Sequence, residues 1–226
     1  MKAIHQPKPA IRLTLVIAVL ALLAIPTTSA QAPKRFVAQL GGASYAIAAT
    51  DTLVCAGVGP NLAVFSAEST ELNLLGSVYL GDIVRGLTID GNLVYVAASG
   101  QGLRIVSLAN PAAPLVIGGR DELGSVLAVA VANDYAYVGN ENGTVHVLDV
   151  HDPVKPVWTD SVATPGQALD IETANSYAFV ADGRSGLYIL RNALNQKWFA
   201  VRTFRAPVHN TRLQCACNAE ALTINN

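Results

Sequence analysis

Short apolar runs, rich in Val, Ile and Leu, recur along the chain between clusters of Gly, Pro, Asn and Asp. The run "LVYVAA" (93–98) is followed by "LRIVSL" (103–108) and "LVIGGR" (115–120), and "GLTID" (86–90) precedes them. Each is four to six residues long and β-branched or aromatic, which predicts strands and not helices. "GN", "SGQG" and "ANPAAP" punctuate them, with Asp90-Gly91 as a tight-hairpin signal. Pro111 and Pro114 fall between strands, where a missing N–H costs little. Beyond the first thirty residues no stretch shows helical periodicity of useful length.

The pattern repeats. Tyr95, Tyr137 and Phe179 stand at intervals of 42 in the same "Y-V-A"-like strand, and Cys55 occupies that slot 40 residues before Tyr95. "GLRIVSLANPAAP" (102–114) and "TVHVLDVHDPVKP" (144–156) keep the same register, so Asn110-Pro111 and Asp152-Pro153 are also 42 apart. A period in the forties made of four strands is a signature of a propeller blade. The expected fold is therefore all-β: a β-propeller of about four four-stranded antiparallel blades, closed or left as an incomplete ring, with repeats near 41–85, 86–125, 126–167 and 168–205.

These residues resemble the LVIVD repeat, whose consensus runs approximately G-L-x-I-V-D-V-S-N-P-x-x-P after a "Y-V-A" strand. The resemblance covers about residues 36–205 and is strongest in copies two and three. It implies a propeller fold and a secreted or surface protein of bacteria or archaea; it implies no particular activity and supplies no catalytic residues. The tail 206–226 departs from the pattern, although "TRLQC" could start a fifth inner strand. "RFVAQL" (35–40) reads as an outer-type strand that could pair beside "GLYIL" (186–190) and close the ring, in competition with "KWFAVRTF" (197–204).

The first thirty residues follow another logic. Lys2, Lys8 and Arg12 precede the apolar run 13–25, and small residues lead to Ala30, the order of a secretory signal peptide. Thirteen apolar residues span roughly 20 Å as a helix, short of a ~30 Å hydrocarbon core. Cleavage is expected to leave residue 31 first and an exported protein: extracellular, on the cell surface, or periplasmic where an outer membrane exists. It would shift the formal charge from −1 to −4 by removing three of the 15 basic residues. A mildly acidic chain lacks the electrostatic footprint for nucleic acid, and no second apolar run predicts a membrane span.

Candidate chemistry is sparse. Cys55 lies in an apolar strand, and Cys215 and Cys217 are too few and too isolated for a zinc pattern. His146, His151 and His209 are scattered singly. No nucleophile elbow, zinc-protease motif or phosphate loop is present, so no catalytic residue, cofactor or metal is assigned. The polar loops of one propeller face, 80–85, 121–125, 139–143 and 181–186, carry the candidate binding residues Asp82, Arg85, Glu141, Asp182 and Arg184, with Glu122 beside them. A second candidate is the pair Asp170 and Glu172 in "ALDIE", where other inner strands have Ala, Gly or Thr. Two apart, they share a sheet face; they either line a site or mark an exposed face of blade four. Two readings follow: a non-enzymatic module that binds an extracellular protein or glycan, and, as the alternative, an extracellular hydrolase or lyase acting on sugars or peptides.

Overall fold

A computed structural model describes residues 43–68, 72–175, 177–192 and 198–204, all within the unit Val37–Asn226. Residues 1–30, "RFVAQL", Cys215, Cys217 and the tail lie outside the described residues, as does the unit Met1–Phe36.

The fold is a β-propeller of four blades, each an antiparallel sheet of four strands taken in chain order. Blade one holds β1 (Ile47–Ala49), β2 (Leu53–Val58), β3 (Asn61–Ser66) and β4 (Asn73–Tyr79). Blade two holds β5 (Gly86–Asp90), β6 (Leu93–Ala97), β7 (Leu103–Ser107) and β8 (Leu115–Arg120), each within one residue of the expected run. Blade three holds β9 (Val126–Ala132), β10 (Tyr135–Asn140), β11 (Thr144–Asp149) and β12 (Val157–Ala163). Blade four holds β13 (Asp170–Ala174), β14 (Tyr177–Ala181), β15 (Leu187–Asn192) and β16 (Trp198–Phe204), with a 3-10 turn at Gly183–Ser185. The outer place of blade four, for which 35–40 and 197–204 compete in sequence, is taken by β16 alongside β15.

The hairpin between first and second strands falls one residue later than the Asp90-Gly91 signal suggests, at Gly91-Asn92. In blade three the same turn is Asn133-Asp134, with φ of 51° and 63°. Two consecutive left-handed residues make the turn whose twist matches antiparallel strands, and Asn and Asp tolerate that region better than most side chains.

Every blade also carries a bulge in its fourth strand. Leu75, Ile117, Thr159 and Val201 are skipped by the pairing with the third strand, again 42 apart. A bulge bends and twists the outer strand, which a wedge-shaped blade requires.

The core lies between blades. Tyr95, Leu103 and Ile105 of blade two pack on Val129, Val138 and Leu148 of blade three. Tyr137, Val145 and Val147 of blade three pack on Ile171, Val180 and Leu190 of blade four. Cys55 and Val64 of blade one meet Val94 and Val106 of blade two. In blades one to three the slot that defines the repeat, Cys55, Tyr95 and Tyr137, is thus on the face each blade turns to its successor. Burial of each large side chain contributes about 1.5–3 kcal/mol. It also holds these groups neutral: the Cys55 thiol is pushed up to about 11 and the Tyr137 phenol to about 12, both by desolvation.

The repeated Asn-Pro phrase has a mechanical role. Ala112 N–H donates to Asn110 Oδ1 at 3.2 Å and Val154 N–H to Asp152 Oδ1 at 3.0 Å, the same Asx turn 42 residues on. Each turn presses its carbonyls onto the preceding blade's outer strand. A Cβ at Gly76 would lie 2.6 Å from Ala112 O, and one at Gly118 only 2.0 Å from Pro153 O. Glycine at these positions lets the turn of one blade seat against the strand of the one before.

Candidate functional site

The links between blades and the loops joining second to third strands share the opposite rim, and the structure ties them together with polar side chains. Asp82, in the link entering blade two, accepts from Gly100 N–H in that blade's loop at 3.1 Å and from Ile83 N–H at 2.7 Å. Asp182, in the loop of blade four, accepts from Gly166 N–H in the link at 2.9 Å. In blade three Asn140, 42 residues before Asp182, donates Nδ2–H to Leu123 O at 3.2 Å. In each of blades two, three and four one short polar side chain thus staples link to loop, from the link in blade two and from the loop in the other two.

This geometry gives the sequence candidates different jobs. Asp182 is fully buried and its Oδ1 has no hydrogen-bond partner, while Asp82 is half-buried; both hold backbone. Arg85 stacks its guanidinium 4.6 Å from the centroid of the exposed Tyr45 ring, a cation–π contact. Glu141 and Arg184 are exposed and belong to different blades. Asp170 and Glu172 are both exposed on the free face of β13, and Asp170 Oδ1 accepts from Ile171 N–H at 3.0 Å. Among the described residues no three His, Cys, Asp or Glu side chains gather where a metal ion could be held.

A cavity that the sequence reading does not single out lies at this rim between blades two and three. Its volume is about 290 Å³, and Arg120, Glu122, Leu123, His146 and Trp158 line it. Alternation on β11 explains the placement. Val145 and Val147 join the core toward blade four and Leu148 the core toward blade two, so His146 faces blade two as well. Trp158 sits opposite Leu148 on β12, half exposed. From blade two, Arg120 Nε pairs with Glu122 Oε2 at 2.9 Å.

Asn140 orients His146. Its Oδ1 accepts from Asn142 N–H (3.1 Å) and Thr144 N–H (2.9 Å), which fixes which end of the amide is oxygen. Its Nδ2 is therefore the donor facing both Leu123 O and His146 Nε2, the latter at 3.3 Å. With Nε2 accepting, the neutral ring carries its proton on Nδ1, which is buried and has no partner. Desolvation lowers the His146 pKa below 6.5, with the Leu123 carbonyl only partly opposing it, so the ring is neutral at pH 7. At the matching place of blade two stands Arg104, held by Asp121 and Gln101. The signal that could have revealed the cavity is this break of the repeat: His146 and Trp158 are unrepeated residues on one face of neighbouring strands.

Comparison with known proteins agrees with the architecture. The LVIVD repeat matches at residues 81–120, 123–164 and 165–190. No protein of curated function matches the chain. The crystal structure of the computationally designed Ika4 protein is similar with a TM-score of 0.53 and 14% identity, over 74% of this chain and 94% of that one. A functionally unknown protein from Desulfotomaculum acetoxidans gives a TM-score of 0.67 at 15% identity, over 79% of this chain. The designed Ika8 protein gives 0.54 at 13% identity, over 69% of this chain. The chain spans 62% of the Desulfotomaculum protein and 48% of Ika8, so the same blade geometry also occurs in larger assemblies of strands. Three consecutive LVIVD repeats are thus matched within residues 81–190, and the four blades are built on the register those repeats share.

Proposed function

We propose that this protein is an exported, non-enzymatic binding module that holds an extracellular protein or glycan on the rim formed by the blade links and the second-to-third strand loops. The observation that carries this reading is the division of labour on that rim. Asp82, Asn140 and Asp182 are spent on fixing loops to links. The side chains left to face outward, among them Glu141, Arg184 and Glu122, are spread over different blades. A fixed scaffold presenting dispersed charges suits a contact surface, whereas catalysis needs a few polar groups converging on one point. Export rests on the leader-like segment 1–30, and N-terminal sequencing of exported material is expected to begin at Gln31.

The test changes only the outward residues. Glu141→Ala with Arg184→Ala is expected to weaken capture of extracellular partners, read by cross-linking and by binding to immobilised glycans, and to leave the unfolding midpoint unchanged. Hydrolase or lyase turnover on sugars or peptides that vanishes on a single change at Asp170 or Glu172 would overturn the reading in favour of an enzyme.

A further inference from the structure

We infer that the cavity between blades two and three is a subsite for one neutral glycosyl unit. This deepens the binding reading above and rests on it. Three features of the cavity select the ligand. The first is charge: Arg120 and Glu122 neutralise each other, and His146 is uncharged at pH 7. A cation would meet Arg120 and an anion would meet Glu122, so neither gains over a neutral ligand. The second is the set of donors and acceptors. His146 contributes a neutral ring edge, its Nδ1 being enclosed by protein. The exposed carboxylate of Glu122 accepts and Arg120 donates, side by side. Hydroxyl groups, each able to donate and accept, fit both at once. The third is shape. Trp158 brings a large apolar face, 52% exposed although it lies on a propeller's outer strand, and Leu123 lines the same cavity. The C–H face of a pyranose ring matches an indole, and its hydroxyl edge matches the polar wall.

The volume sets the size. At about 290 Å³ the cavity stands at the small end of the roughly 300–1,000 Å³ usual for ligand pockets, room for one ring. The site is also prebuilt. Asn140 is itself buried, and its four contacts lock both the His146 ring and the adjoining loop before any ligand arrives. The Arg104 place of blade two makes the contrast: there a side chain of the same strand face already has its polar partners.

The experiment is an NMR titration of the full chain with the methyl pyranosides of glucose, galactose, mannose and N-acetylglucosamine. At least one is expected to shift the Trp158 indole and His146 ring signals saturably, with a dissociation constant on the order of 1 mM. Trp158→Ala, on an exposed face and so compatible with folding, is expected to weaken that binding about tenfold. Absence of a saturable shift with all four glycosides overturns the proposal, as does an undiminished response, read at the His146 ring, in the Trp158→Ala variant. A saturable shift with sodium acetate that exceeds every glycoside also overturns it, since the site would then select an anion. Partner capture by the unaltered chain, measured in parallel, separates the two readings: capture without glycoside binding removes the subsite and leaves the module standing.

Discussion

On the rim of the third-to-fourth strand turns, Asn110 and Asp152 perform one task 42 residues apart, each closing an Asx turn whose carbonyls press on a glycine of the blade before. On the opposite rim the corresponding task, tying a blade to the link that enters it, passes from Asp82 to Asn140 to Asp182, with the polar group first on the link and then on the loop. The first rim repeats position and geometry, with Asp in place of Asn. The second repeats the tie while the position of the polar group and the direction of the hydrogen bond change. A contact fixed in position, as in blades two and three, leaves the sequence little freedom. A tie that needs only one acceptor or donor somewhere in reach leaves room for each blade to differ, and that freedom is where a binding surface can be individualised.

The first rim offers the largest predicted effect. Gly118→Ala places a Cβ 2.0 Å from Pro153 O, a backbone atom that cannot rotate away. It is expected to destabilise the chain by about 3 kcal/mol in urea unfolding, the upper part of the overpacking range. Gly76→Ala, whose Cβ would lie 2.6 Å from Ala112 O, should cost less. Equal and negligible effects would break the view that these turns clamp neighbouring blades.

On the other rim, Asp182→Ala removes a fully buried acceptor and leaves Gly166 N–H without its partner. The expected loss is about 2 kcal/mol, within the range for an orphaned buried donor. Asp182→Asn keeps an oxygen that can accept from Gly166 N–H and should cost clearly less. If the two variants are equally destabilised, the tie depends on charge.

Smaller still is the effect of pH at His146. Burial lowers its folded-state pKa below the 6.5 of the free side chain. As pH falls, the unfolded chain takes up this proton first, so stability declines from about pH 6.5 down to the folded-state pKa and levels off below it. Above pH 7 both states are neutral and the residue contributes no slope. His146→Gln, measured against the unaltered chain in urea between pH 5 and 7.5, should remove that part of the slope. A steeper fall in the variant would mean that the ring is charged in its cavity.

How much of this was legible follows from where each signal sits. The strands of blade two could be placed within a residue because alternation and turn residues lie inside a single repeat, and the 42-residue register multiplies the signal. The bulges at Leu75, Ile117, Thr159 and Val201 share the period yet have no residue type in common, so nothing in the letters announces them. The loop ties were invisible for a related reason: Asp82 meets Gly100 and Asp182 meets Gly166 across 18 and 16 residues, and the partner in each pair is a backbone N–H. Polar loop residues read as contact residues until the backbone they hold is seen. The cavity needs two blades at once, and only the unrepeated His146 and Trp158 hinted at it.

The smallest effect belongs to Asp170 and Glu172. Their counterparts on the inner strands are Gly86 and Thr88 in blade two and Ala128 and Ala130 in blade three. A Cβ at Gly86 would lie 3.1 Å from Ala128 Cα, Thr88 Oγ1 donates to Val129 O at 2.7 Å, and Ala128 and Ala130 are buried in the core toward blade four. In those places a carboxylate would be a buried charge, destabilising without a partner. Blade four differs because this face of β13 is exposed, and no hydrophobic cluster among the described residues joins it to blade one. Two exposed acids contribute little, so Asp170→Ala with Glu172→Ala is expected to change stability by less than about 1 kcal/mol. The same measurement sharpens the contrast between inner and end blades. A loss well above 1 kcal/mol would show that this face is covered in solution and that the two carboxylates have partners there.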